Sequence, residues 1–422
     1  MRPPMSRRRQ CNPTFGVRAG RRVASVSAVL AAWAVASGGL APHAIADDAP
    51  LVQWYLTAMH AEDLWKVSTG KGIKVAVVDT GVNADTPSLK GQVLGQEVPA
   101  VAAYGATKDY DGHGTTMAEM IAGTGQGGGI KGLAPGAKII PLRITLSTLK
   151  DPAELKLTKL PAEAIRAAAD SDAKIINMSF GAHTKDPGLE DAVKYAASKG
   201  KLMFAGTGND GEESNGLLEF PAALPGVVGV AAADANGTVG KFSHSGDSVD
   251  LAAPGLNVSR WCNAEFKAYC TADGTSAASA IASASAALIW SAHPAWTADQ
   301  VLRTMIDTAG RSWDKNTPSK YLGYGLIRPR LVLEQGNINP GPANVDPLAQ
   351  ENGGSSAPPA TPAAPSSSPV PKGEAVAKGE DKVNGNGGGG NTQLWAVGGV
   401  VAGLVVIGGG VFALIRTRRR GA

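Results

Sequence analysis

From residue 72 onward the chain alternates continuous apolar runs with alanine-rich stretches of helical length, a rhythm that leaves few folds open. A run that is apolar at every position, rather than at every second one, must be buried on both faces. Strands of a parallel sheet covered by crossover helices meet that condition. Lys74 to Val78, Lys138 to Arg143, Lys174 to Ser179, Leu202 to Ala205 and Val227 to Ala231 read as strands. Gly114 to Ala122, Pro161 to Ala169, Leu189 to Ser198 and Ser276 to Ser291 read as helices. The expected fold class is α/β with a mostly parallel central sheet. Hydrophobic residues, at 43% of the chain, suffice to build its core. In sheets of this kind chemistry gathers at the carboxyl ends of the strands.

Three segments place reactive groups at such ends. Asp79 closes the run Lys74 to Val78 and is followed by Thr80 and Gly81, so a carboxylate sits where a buried strand turns sharply. The segment Asp111-Gly112-His113-Gly114-Thr115 sets a histidine at the start of a helix. Asp273-Gly274-Thr275-Ser276 sets a hydroxyl in the first turn of a small-residue helix, where backbone N–H groups and the helix dipole favour a developing negative charge. Singly, each has a plainer reading: Asp79 as a ribose ligand or helix cap, His113 as a loop histidine, Ser276 as an N-cap. Together they supply a nucleophile, its base and the acid that orients the base. His60, His183, His244 and His293 lack that setting. The glycine pattern Gly123-Thr124-Gly125-Gln126-Gly127-Gly128 fits a dinucleotide loop, but it follows a helix where such a loop must leave a strand; it reads as a connection to the next strand.

The order Asp79, His113, Ser276, with Val-Val-Asp-Thr-Gly, Asp-Gly-His-Gly-Thr and Gly-Thr-Ser around them, resembles the subtilisin-like serine proteases. The likeness covers about residues 72 to 335 and implies the three-layer subtilisin fold. Asn177-Met178-Ser179-Phe180-Gly181 resembles the family strand that pairs with extended substrate. Gly206-Thr207-Gly208-Asn209 resembles the segment carrying the oxyanion-hole asparagine. The resemblance therefore implies substrate-binding roles for Ser179, Phe180, Gly181, Gly206, Thr207 and Gly208, and an oxyanion donor in Asn209, which from its neighbours Asp210 and Gly211 alone reads as a turn asparagine. After the nucleophile the usual proline-containing segment is replaced by Ala277-Ala278-Ser279-Ala280-Ile281, which puts the geometry at the start of the helix in question.

The ends of the chain describe a membrane topology. Residues 1–46 have the form of a signal peptide: arginines, an apolar run from Val23 to Leu40, then Ala44-Ile45-Ala46 as a cleavage site. Leu394 to Ile415 is charge-free and long enough to cross a bilayer, and the basic tail 416–422 after it stays in the cytoplasm by the positive-inside rule. The expected location is the cell membrane, single-pass, with the body extracytoplasmic. Residues 336–393, rich in Pro, Ala, Ser, Gly and Asn, read as a disordered linker. A flexible coil of that length averages about 40 Å end to end. The net charge of +4 comes from the arginine-rich termini, so nucleic acid is not an expected partner. Cys262 and Cys270, the pair left after the signal peptide, read as a disulfide in an exported protein. No metal site and no cofactor is expected, since neither a His/Cys set nor an acidic cluster at ligand spacing stands out.

The N-terminal extension 47–71 is too short for the folding pro-domain common in secreted subtilisins. Its segment Gln53-Trp54-Tyr55-Leu56 to Asp63-Leu64-Trp65 resembles the extension before the catalytic core of mycosins, the membrane-anchored subtilisins associated with type VII secretion. That resemblance implies peptide or protein substrates and contact with secretion-system membrane components. Two other functions remain open on the sequence: a general surface subtilisin that processes exported peptides, and a non-catalytic scaffold of a membrane complex.

Overall fold

The computed structural model describes residues 51–211 and 217–352. The signal peptide, the linker beyond residue 352, the span 394–415 and the basic tail lie outside them.

Two short helices come first, α1 (Trp54–Ala58) and α2 (Ala61–Val67), before strand β1 (Lys74–Asp79). Helix α3 (His113–Ala122) leads to β2 (Lys138–Arg143), then α4 (Pro152–Leu157), α5 (Pro161–Asp170) and β3 (Ile175–Met178). Next come α6 (Leu189–Ser198), β4 (Leu202–Gly206), β5 (Val228–Ala233), β6 (Leu251–Pro254), β7 (Val258–Trp261) and β8 (Tyr269–Ala272). Helices α7 (Thr275–Ala292), α8 (Ala298–Thr308) and α9 (Pro329–Glu334) follow. Strands β1 to β6 form one parallel sheet in the order β2-β1-β3-β4-β5-β6, and β7 pairs antiparallel with β8. The chain runs outward from β1 to β2 and then crosses to β3 on the other side, so a crevice opens at the carboxyl ends of β1 and β3, where ligands bind in open sheets.

The alternation of side chains along a strand divides the core in two. Val75 and Val77 of β1 pack with α3 and α7 on one face, while Ala76 and Val78 pack with α5 and α6 on the other. All are fully buried, as a strand between two helical layers requires. Helix α7 is long and apolar enough to cross a membrane, but it is buried in the first of these layers. Its Ala and Ser residues let it approach β3, β4 and β5 closely.

The expected strands and helices appear within two residues of their boundaries. Strands β6, β7 and β8 and helices α1, α2, α4, α8 and α9 go beyond those expected, and most of them are short or only partly apolar. Strand β6 is only Leu-Ala-Ala-Pro, and the β7–β8 hairpin has an exposed face. Helix α8 does announce itself, since Thr297 caps it by accepting from Gln300 N and the Gln300 side chain returns the bond. Cys262 and Cys270 are joined as expected, across the hairpin.

Packed chain also extends beyond both ends of the sheet. Tyr55, Ala61 and Leu64 of the N-terminal helices are each about 1% exposed, and Trp65 Nε1 donates to the Leu133 carbonyl at 2.8 Å. At the other end, residues assigned from composition to the start of the linker lie along α8. Thr297, Gln300 and Arg303 donate to the carbonyls of Ala343, Gly341 and Val345, and Leu348 is buried. Low apolar content hid this segment because its attachment runs through backbone carbonyls and one leucine. Leu64→Ala is expected to lower stability by about 2–5 kcal/mol, while Val67→Ala, at an exposed position, leaves it nearly unchanged. Urea denaturation of the two variants measures the difference; equal midpoints would show that the N-terminal helices do not contribute to the fold.

Candidate active site

Strand β1 ends in Asp79, which has no exposed surface. Its Oδ1 accepts from Thr80 N and from His113 Nδ1, both at 2.8 Å. A carboxylate only accepts, so Nδ1 of His113 carries the proton and the other ring nitrogen is left to act as a base. His113 opens α3, whose first turn is pressed against the end of β1. A Cβ on Gly114 would collide with the carbonyl oxygen of Gly81, so glycine is required for this approach.

The histidine loop is seated by Asp109, a residue outside the motifs around Asp79 and His113. Asp109 is nearly buried, and its Oδ1 accepts from Thr80 Oγ1 (2.8 Å), Asp111 N (2.9 Å) and Gly112 N (2.8 Å). Its Oδ2 accepts from Thr115 N at 2.8 Å and Thr115 Oγ1 at 2.7 Å. One carboxylate thus gathers the donors on both sides of His113, and Thr80 Oγ1 in turn accepts from Gly114 N at 2.9 Å. The β7–β8 hairpin braces the same helix: Trp261 N donates to Thr116 Oγ1, and the Tyr269 hydroxyl to Glu119. Burial pushes the Glu119 carboxyl up to about 7, against the hydrogen bonds from Thr86 and Tyr269.

Ser276 is the second residue of α7, which starts at Thr275 despite the missing proline. Its Oγ donates to the Ser179 carbonyl at 3.0 Å, and Ser179 Oγ donates to the Ser276 carbonyl at 2.9 Å. Behind them, buried Asn177 on β3 donates to Ser179 Oγ and accepts from Ser279 and Ser283 of α7, both at 3.1 Å. Asn209 follows β4, and its Oδ1 accepts from Thr275 N at 2.8 Å and Thr275 Oγ1 at 3.0 Å. That fixes the amide with Nδ2 as an uncommitted donor among the described hydrogen bonds.

A cleft of about 1020 Å³ brings these groups together. Of the residues expected at the site, His113, Ser276, Asn209, Ser179, Phe180, Gly181, Gly206 and Gly208 line it. Asp79 stands behind His113. Thr207 does not line the cleft: it is fully buried, with its hydroxyl 3.5 Å from the Val230 carbonyl, because alternation sends it to the far side of Gly206 and Gly208. Burial pulls the His113 imidazole toward its neutral form, but the charge and hydrogen bond of Asp79 outweigh that pull and hold its pKa above the ordinary 6.5. The cleft wall also holds His183, Asp210 and Glu219, brought together from three separate loops with no spacing signal in the sequence.

The fold and the groups collected at its switch point define a subtilisin-like protein. Residues 70–325 match the subtilase family, peptidase S8, and the chain belongs to that family. Among relatives, minor extracellular protease Epr of Bacillus subtilis is 34% identical, covering 65% of this chain and 41% of that protein. Fervidolysin of Fervidobacterium pennivorans is 33% identical, covering 67% and 43%. The chain spans about two fifths of the length of these two relatives. Among solved structures, the MycP3 protease from the type VII (ESX-3) secretion system is similar at 28% identity and a TM-score of 0.56, covering 68% of this chain and 90% of that one. MycP1 from Mycobacterium smegmatis is similar at 26% identity and 0.57, covering 71% and 89%.

The His113 ring can act as a base only when neutral, and its pKa is raised. Labelling of the protein by a fluorophosphonate should therefore fall away as pH drops through a midpoint above 6.5, and a midpoint below 6.5 would contradict the Asp79 contact. Asp109→Ala should slow labelling by about 10-fold or more through a displaced histidine. It should also cost about 3 kcal/mol in denaturation, since buried N–H groups lose their acceptor. An unchanged labelling rate in Asp109→Ala would remove the loop-seating role.

Proposed function

We propose that the chain is a membrane-anchored extracytoplasmic serine endopeptidase in which Ser276 is the nucleophile, His113 the general base and Asp79 the group that orients His113. The observation that carries this reading is the Asp79 to His113 contact at 2.8 Å opening onto the cleft that also holds the Ser276 hydroxyl. On substrate binding the Ser276 hydroxyl leaves the Ser179 carbonyl and turns to His113, a contact of the kind that commonly tightens only in the substrate complex. His113 takes the proton as Ser276 attacks the peptide carbonyl, then delivers it to the leaving amine, while Asp79 stabilises the charged ring. Asn209 Nδ2 and the start of α7 supply positive character where the oxyanion develops. Ser179 to Gly181 and Gly206 to Gly208 form the walls along which an extended peptide lies, with Gly206 and Gly208 rather than Thr207 facing it.

The apolar run 394–415 followed by arginines supports a single membrane anchor with the C-terminus in the cytoplasm. Association with type VII secretion is supported by the likeness to MycP3 and MycP1 and by the N-terminal helices, which the sequence resemblance to mycosins singles out. Fluorophosphonate labelling of the full chain tests the chemistry. Labelling should vanish in Ser276→Ala and fall strongly in His113→Ala; a folded wild-type protein that resists labelling would favour the scaffold role. Asn209→Ala should reduce peptide turnover by about 10²- to 10³-fold with little change in KM, as loss of the oxyanion-hole asparagine does in subtilisin. Unchanged turnover would exclude Asn209 from the site.

A further inference from the structure

We infer that His183, Asp210 and Glu219 form a binding site for a divalent transition-metal ion of the zinc class in the wall of the cleft. His183 lies in the loop after β3, Asp210 after β4 and Glu219 ahead of β5, so the sheet brings together groups distant in sequence. One ligand atom from each lies within 4.8 Å of the other two. Ligands held at about 2.0–2.2 Å from a common zinc ion fall within such a spacing. An imidazole nitrogen with two carboxylate oxygens is a borderline donor set suited to zinc, and three protein ligands leave a fourth position open toward the cleft.

The surroundings are built to hold these groups in place. Glu219, with 12% of its side chain exposed, is packed over Gly181, where any Cβ would collide with its carboxylate. His244 is buried, hydrogen-bonds to Asp210 Oδ1 and stacks on His183 with ring centroids 5.7 Å apart. It thereby fixes the carboxylate and the neighbouring ring, as partners of metal ligands do. Among the described ion pairs, Asp210 and Glu219 are matched by imidazoles and not by lysine or arginine. His183 Nε2 now bonds Asp210 Oδ2 at 2.8 Å, and its Nδ1 stands 3.1 Å from Glu219 Oε2. Only one ring nitrogen can ligate an ion shared by both carboxylates, so binding requires the His183 contact on the other nitrogen to open, and the proton on the ligating nitrogen is released.

Asp210 follows Asn209 in sequence and all three ligands line the same cleft as Ser276, so an ion held here takes up part of that cleft. Occupancy therefore slows reaction at Ser276 without any contact with the serine. The test uses the full chain carrying Ser276→Ala, stripped with a chelator and titrated with Zn²⁺ alone by calorimetry and with Co²⁺ by visible absorption. These readouts need no activity, so their failure is separate from failure of the proposed chemistry. One ion per chain is expected, with a four-coordinate Co²⁺ spectrum. His183→Ala and Glu219→Gln should each weaken binding at least about 100-fold, whereas His60→Ala, at an exposed position away from the cleft, should not. In the chain with Ser276 intact, Zn²⁺ should slow fluorophosphonate labelling, and His183→Ala should relieve that effect. Absence of saturable binding, or equal affinity in folded His183→Ala and Glu219→Gln variants, would overturn the site and leave only imidazole–carboxylate pairing.

Discussion

Everything at the cleft depends on how closely α7 can lie against the parallel sheet. Helix α7 buries mostly Ala and Ser, and the polar groups so buried must find partners within the contact. Asn177 supplies them, accepting from Ser279 and Ser283 and donating to Ser179. The same residue therefore sets the height of the helix over the sheet and the position of the strand end that faces Ser276. Exchanging the small residues for larger ones would lift the helix and, with it, the hydroxyl.

The two buried carboxylates near His113 divide the work of holding it. Asp79 meets the ring and governs its proton; Asp109 meets the backbone on either side and governs its place. Asp109 has no contact with the ring among the described hydrogen bonds, so it does not change which nitrogen is protonated. A loop with glycines at 112 and 114 needs such an anchor, because those residues by themselves allow too many conformations.

The sheet was legible because buried parallel strands write themselves as unbroken apolar runs, and Asp79, His113 and Ser276 because each falls where such a run stops or a helix begins. Other features of the cleft and its surroundings are set by tertiary contact. Thr207 sat inside a recognisable segment, yet alternation along the extended backbone turns it away from the cleft. His183, Asp210 and Glu219 meet only because three loops end at one place. The segment 337–352 looked like linker because its binding to α8 uses main-chain carbonyls, which composition does not reveal.

The N-terminal helices have a consequence of a different kind. A folding aid that is cut away after use leaves behind a protein held by a barrier, unable to regain its shape once it is lost. Here Tyr55 and Leu64 remain part of the core, tied by Gln53 and Trp65 to the chain between α3 and β2. Severing the chain between those helices and β1 would therefore expose the apolar layer that also holds α7, a cost that a merely appended terminal segment would not carry.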